Sequence, residues 1–209
     1  MLDDIFARNK AWSKKRLRKN VDYFECLSVS QNPDYLWIGC SDSRVPANVI
    51  TGLEPGDIFV HCNVANLIHP TDLNMLSVVE FAVQQLRVKH IIICGHHGCG
   101  GVRAAVSGKR LGSIDHWLQP IREVADAHFA DHGRGDWENL DLDRLCESSV
   151  VEQVRRLART PILQDAWDSG VEIAIHGWVY GLKDGLLSDL NCTRTGRLNR
   201  MVKPAAGTE

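Results

Sequence analysis

No stretch of eighteen consecutive apolar residues occurs in this 209-residue sequence, which leaves no candidate for a membrane-spanning helix. The N-terminus lacks the charged, apolar and small-residue regions of a secretory signal, so the chain reads as intracellular, with a cytoplasmic location expected. Charge of one sign is scarce too. The 24 Lys and Arg against 26 Asp and Glu give a formal net charge of −2, which offers no general attraction for nucleic acid, and no acidic tail invites a basic partner. Internal repeats and low-complexity tracts are missing. Small molecules are therefore the expected ligands, with neither nucleic acid nor membrane as a partner.

What is present suits one domain with a substantial core, because 44% hydrophobic and 24% charged residues are ordinary for a globular chain of this length. The seven cysteines, Cys26, Cys40, Cys62, Cys94, Cys99, Cys146 and Cys192, are odd in number and scattered. That pattern fits free thiols in a reducing compartment better than a disulfide framework, and some of them are candidates for metal. Residues 2–19 carry Leu2, Ile5, Phe6 and Trp12 on helical spacing among many basic residues and read as an amphipathic helical arm. A solvated basic face on a packed helix is preferred there over a transit or nuclear signal.

Four apolar runs of strand length follow, Tyr35–Cys40, Ile58–Cys62, His90–Cys94 and Val171–Val179. They are rich in Val and Ile, and the turn pairs Asn32-Pro33, Pro55-Gly56 and Ser169-Gly170 precede three of them. Helical patterns at Leu73–Leu86, Ile114–Phe129 and Ser148–Arg159 lie between or beside them. Strands alternating with helices predict an α/β fold, a single domain over 1–209 whose mostly parallel central sheet is flanked by helices. The polar stretch Ala130–Asp143 reads as a surface loop, and 193–209 as a loosely packed tail.

Open parallel sheets bind ligands beyond the carboxyl ends of their strands, and two strands here end in unusual residues. One runs into Cys40-Ser41-Asp42-Ser43-Arg44, and another into "GHHGCGG", which supplies His96, His97 and Cys99. If those strands are neighbours, Cys40, His96 and Cys99 meet. Two thiolates and an imidazole suit tetrahedral zinc, and three protein ligands leave a fourth position for water or substrate. A structural zinc needs a fourth protein ligand, for which Cys94, His97 and Cys62 are candidates. The glycines around Cys99 ease the backbone, and "GGVRAAVSG" begins a helix whose first amides favour a thiolate or an anion.

On these residues the sequence resembles the β-class carbonic anhydrases. "CSDSRVP" at Cys40–Pro46 and "HHGCGG" at His96–Gly101 match the two zinc motifs of that family, C-x-D-x-R and H-x-x-C, in order and separation. "PGDIFVHCNVAN", "LSVVEFAV" and "HGWVYGL" extend the similarity over roughly residues 2–190. The resemblance implies zinc on Cys40, His96 and Cys99 and reversible hydration of carbon dioxide to bicarbonate and a proton by attack of zinc-bound hydroxide. Two thiolates make the bound water less acidic than a three-histidine site does, so activity is expected to rise into the alkaline range.

The resemblance also implies that Asp42 and Arg44 form a catalytic dyad controlling access to the zinc. Arg44 would hold the carboxylate bidentately, and in a closed form Asp42 would itself become a metal ligand, a state that lower pH favours. Gln31, Phe59, Val64, Phe81 and Gly100 are the implied substrate contacts. In relatives these groups come from two subunits, which implies a homodimer or a higher homo-oligomer. One branch of the family binds regulatory bicarbonate through a tryptophan, an arginine and a tyrosine. Trp37 and Tyr180 match, whereas Cys62 replaces the arginine and cannot pair with the anion. Two other readings keep the same donors: hydrolysis of a carbon dioxide analogue such as carbon disulfide, and a catalytically silent zinc module.

Overall fold

The computed structural model describes residues 2–128 and 140–196. The helical arm, α1 (Leu2–Lys19), and a short α2 (Tyr23–Val29) precede β1 (Tyr35–Cys40), α3 (Ala47–Thr51) and β2 (Ile58–Asn63). Then come α4 (Leu73–Phe81), which runs on as a π-helical turn to Leu86, β3 (His90–His96), α5 (Gly100–Ala105), α6 (Ile114–Trp117) and α7 (Gln119–His128). The chain continues with α8 (Leu142–Ala158), α9 (Pro161–Asp168), β4 (Ala174–Tyr180) and β5 (Leu187–Asp189).

The strands form one sheet in the order β2-β1-β3-β4-β5. The first four are mutually parallel and β5 is antiparallel to β4. On one face Leu36, Ile38, Ile91, Ile93 and Ile175 pack against Val79, Val83, Val150, Val154 and Leu157, so α4 and α8 cover it. On the opposite face Trp37, Ile92 and Cys94 are buried with Ala47 and Ile58, while Tyr35, Trp178 and Tyr180 are only half covered. A third cluster lies beyond the strand ends, where Cys40 and Cys99 pack with Val102, Leu118, Ile121, Leu145 and Cys146. Burying β1 and β3 on both faces is why their sequences are apolar without alternation.

The expected single α/β domain with a mostly parallel sheet and an N-terminal helical arm is the observed architecture. Several boundaries move for local reasons. The pattern expected over Ile114–Phe129 is broken between Trp117 and Gln119, because Pro120 suits the first turn of a new helix but not a helix interior; Phe129 itself lies outside the described residues. α8 starts at Leu142 rather than Ser148, because the Asp141 carboxylate accepts from the backbone N–H of Asp143 and Arg144, both at 3.1 Å. Leu142 and Asp143, expected in a loop, are thus helical; 130–139 of that loop lie outside the described residues. β4 begins at Ala174 instead of Val171, where the Ala174 amide donates to Lys89 O. Of the expected tail, Arg194 pairs with Ile175 through two backbone hydrogen bonds of 2.8 and 2.9 Å, and 197–209 lie outside the described residues.

Two surfaces are left uncovered by the described residues. None of the residues of α1 is buried, and Leu2 and Phe6 are each 74% exposed. β2 is an edge strand carrying the exposed Val60 and Cys62, with Val64 just beyond it. Among the described residues no helix is long and apolar enough to cross a membrane.

Candidate metal centre

β1 and β3 pair in parallel from Tyr35↔His90 to Gly39↔Cys94, so their carboxyl ends lie side by side. Cys40 closes the first and His96 the second, and the turn after β3 brings Cys99 back to them. The ligand atoms of Cys40, His96 and Cys99 all lie within 4.8 Å of one another, and all three residues are buried. The two sulfurs are 3.9 Å apart. Sulfurs about 2.3 Å from one tetrahedral ion stand about 3.8 Å from each other, so the spacing is that of a zinc site.

Hydrogen bonding prepares the imidazole. His96 Nδ1 lies 3.0 Å from the carbonyl oxygen of His97, and a carbonyl only accepts, so the proton is on Nδ1 and the lone pair on Nε2. Nε2 is buried without a hydrogen-bond partner. A buried imidazole nitrogen left unpaired beside two thiols is costly in a metal-free interior and natural in a metal centre. The thiols behave as one acid. A hydrogen bond from Cys99 pulls Cys40 far below the usual thiol value against the opposing effect of burial, and the same bond together with burial drives Cys99 far above it. At His96, burial works against the charged form, but the Cys40 sulfur beside it prevails and raises the imidazole pKa. The donor set thus carries negative charge that a cation relieves.

Main-chain groups and two acids shape the centre. The backbone N–H of Ala65 donates to Cys40 Sγ at 3.4 Å, in a turn where Ala65 has φ 64°. Asn63 holds that turn: its side chain accepts from Leu67 N–H at 2.7 Å and donates to Leu67 O at 2.9 Å. From α8, Asp143 accepts from Gly98 N–H at 2.9 Å, and Glu147 accepts from His97 Nε2 at 2.9 Å. These contacts pin the loop between two ligands. Nothing in the sequence singled out Ala65, Asn63, Asp143 or Glu147 for this role; the only available signal was acidic residues near the start of a helix.

Asp42 and Arg44 lie together as expected. Arg44 donates from Nε to Oδ1 at 2.8 Å and from Nη2 to Oδ2 at 2.7 Å, and its backbone N–H adds a third bond to Oδ1 at 3.0 Å. This fork holds the Asp42 carboxyl well below the usual carboxylate range despite partial burial. Oδ2 is 3.7 Å from His96 Nε2, at the rim of the donor set but not within it. A cleft of about 790 Å³ opens beside the centre, lined by Arg44, His97, Cys99, Arg103 and Lys183 among others.

None of the candidates for a fourth protein ligand joins the group. Cys94 is fully buried, its thiol donates to Gly95 O at 3.3 Å, and burial pushes its pKa far up. His97 is taken by Glu147, and Cys62 is exposed on the edge strand. Of the expected substrate contacts, Val64 and Gly100 adjoin the centre: Val64 precedes Ala65, and Gly100 follows Cys99 at the start of α5. Phe59 pairs with Leu36, four residues before Cys40 and about 13 Å from it at a strand's rise. Phe81 packs on Phe59 with ring centroids 5.9 Å apart, and Gln31 is exposed before β1 begins. One chain therefore does not bring Gln31, Phe59 and Phe81 to its own metal ligands. Trp37, Cys62 and Tyr180 lie on one sheet face, with Cys62 opposite Gly39 and Tyr180 opposite His96. The fully buried Trp37 Nε1 has no partner and occupies the space over Gly39.

The family model for carbonic anhydrase matches residues 35–187. A carbonic anhydrase of Emericella nidulans is 43% identical over 201 residues, which cover 96% of this chain and 88% of the relative. Among solved structures, a β-carbonic anhydrase of Aspergillus fumigatus has a TM-score of 0.83 and 41% identity over 91% of each chain. Another, from work on two tetrameric β-carbonic anhydrases of Sordaria macrospora, has a TM-score of 0.85 and 36% identity, covering 93% of this chain and 98% of that one.

The donor set predicts about one zinc per chain in protein purified without chelator, read by elemental analysis. Cys40→Ser is expected to retain less than a tenth of it while remaining folded by circular dichroism; full zinc in that variant would place the ion elsewhere.

Proposed function

The chain belongs to the β-carbonic anhydrase family, whose members are carbonate dehydratases, and we propose that it hydrates carbon dioxide reversibly to bicarbonate and a proton on zinc held by Cys40, His96 and Cys99. The observation that carries this reading is the buried three-donor set with a 3.9 Å sulfur spacing beside a carboxylate clamped by Arg44. Zinc bound there would make its water acidic enough to supply a nucleophile for carbon dioxide near neutral pH.

The protein's own groups divide the remaining work. Both oxygens of Asp42 are engaged by Arg44, which restrains the carboxylate from entering the donor set. In this reading Asp42 accepts a hydrogen bond and a proton from the reacting water, and Arg44 keeps it oriented to do so. Released by Arg44, the Asp42 carboxylate would be near enough to hold the ion as a fourth ligand and so close the site. Arg44 is 58% exposed, so its grip on Asp42 is open to solvent.

The pocket is completed by a second subunit. Gln31, Phe59 and Phe81 sit a strand's length from the ligands of their own chain, while the edge of β2 and the apolar side of α1 are free to pair with another copy. A homodimer is the smallest assembly that supplies them, and the Sordaria macrospora relatives are tetrameric. Seven free thiols support a reducing, cytoplasmic setting. With Cys62 in place of arginine, the Trp37 and Tyr180 face lacks a cation for bicarbonate.

Four outcomes are expected. In stopped-flow hydration assays, Asp42→Asn lowers kcat/KM about 10²-fold with zinc retained, and Arg44→Ala is partly rescued by adding Asp42→Ala; unchanged rates would remove the dyad from the mechanism. The wild-type rate rises with pH, with an apparent pKa above the roughly 7 of a three-histidine zinc site. Bicarbonate inhibits the wild type without cooperativity, and Cys62→Arg introduces cooperative inhibition; strong cooperative inhibition of the wild type would refute the proposed loss. Sedimentation should show a dimer or larger species, and a fully active monomer would contradict the shared pocket.

A further inference from the structure

At the far end of β3 from His96, about 20 Å away at a strand's rise, two more histidines meet. His90 opens β3, and His176 lies on β4 opposite Ile92, so the two imidazoles leave the same face of the sheet as diagonal neighbours. His90 Nδ1 is 3.1 Å from His176 Nε2. Each ring is also fixed from its other side. His176 Nδ1 is 3.0 Å from Thr193 Oγ1, in the segment that Arg194 ties to Ile175, and the Tyr35 ring stacks on His90 at 5.6 Å and 23°.

We infer that His90 and His176 form a second metal site, which takes one divalent late transition-metal ion through His90 Nδ1 and His176 Nε2, with water completing its coordination. The spacing carries this inference. Two nitrogens each about 2.0–2.1 Å from an ion stand roughly 2.9 Å apart at a right angle and roughly 3.4 Å apart at the tetrahedral angle. The observed 3.1 Å falls between these limits, so a small rotation of the rings turns a hydrogen-bonded pair into a chelate.

Proton accounting allows the change at neutral pH. The facing nitrogens share one proton. In the tautomer in which His176 Nδ1–H donates to Thr193, His176 Nε2 already has its lone pair and the shared proton is on His90 Nδ1. Moving that proton to His90 Nε2 frees both facing nitrogens, so the ion binds with no net release of protons. Thr193 then holds the tautomer and orientation of a ligating imidazole, the role outer partners play in metal sites.

The surroundings leave His176 a neutral donor with its lone pair available. Burial, aided by the neighbouring His90, holds His176 below the ordinary imidazole value, while the charge of Asp189 on β5 acts in the opposite sense. Lys89, next to His90, is paired with Asp34 at 2.7 Å. His90 lines a cleft of about 610 Å³ together with Glu172, which opens the His90 side of the pair to solvent. With two protein donors instead of three, this site binds more weakly than the Cys40, His96 and Cys99 centre and exchanges its ion. Imidazole donors suit Ni2+, which makes it a usable probe.

The test is calorimetric titration of Ni2+ into zinc-loaded wild-type protein. One ion beyond the zinc is expected, with affinity falling at least tenfold in both His90→Ala and His176→Ala while zinc content and carbon dioxide hydration stay unchanged. Should either variant fail to fold, the wild type decides: paramagnetic Ni2+ should broaden the imidazole proton resonances of His90 and His176 before those of the other histidines. No second ion, unchanged affinity in the folded variants, or broadening confined to other histidines would overturn the assignment.

Discussion

The parallel pairing of β1 with β3 is the constraint on which the rest of the structure depends. Because Tyr35 faces His90 and Gly39 faces Cys94, the two strands end within one residue of each other, and a cysteine and a histidine far apart in sequence become neighbours. A slip of one residue would turn every side chain of a strand to the other face and separate them. The apolar rows Leu36-Ile38 and Ile91-Ile93, buried under α4 and α8, resist that slip. Core packing and metal chemistry are therefore one requirement: the residues that fix the register are not ligands, yet they set the 3.9 Å between the sulfurs.

Much of this was legible because it is periodic or chemically conspicuous. Unbroken Val and Ile runs marked the buried strands, and Cys40, His96 and Cys99 stood out as polar groups at strand ends, where parallel sheets place their ligands. Short elements escaped. α2, α3 and α9 are five to eight residues long, too short for helical periodicity to declare itself, and the three residues of β5 are read by their partner Tyr180 rather than by their own composition. The groups that tune the centre were illegible for a different reason. Asn63, Asp143 and Glu147 are ordinary polar residues whose roles exist only once α8 and the turn after β2 are folded against the loop at His97.

A single chain holds the metal ligands but not the expected pocket. Val64 and Gly100 adjoin the centre, whereas Phe59 and Phe81 pack on each other near the start of the strands. The three-donor cluster and these two aromatic residues thus lie on different parts of the chain, while one sheet face is only half covered and α1 is unburied. The two histidine environments show the same separation along β3. His96 is aimed at thiols in a closed interior, and His90 at a second imidazole beside an open cleft.

The turn at Ala65 has a lasting effect on how this centre can vary. Its amide reaches Cys40 Sγ from a backbone held at φ 64°, a conformation that costs about 1–2 kcal/mol for a residue with a β-carbon. The donor belongs to the main chain, but Ala65 is only 2% exposed and its β-carbon stands against Gly101, so a larger side chain at this positive φ would have to displace its neighbours. Variation at this position is therefore confined to residues small enough for the space and tolerant of a left-handed backbone, and the contact with the Cys40 sulfur is inherited with the loop's shape.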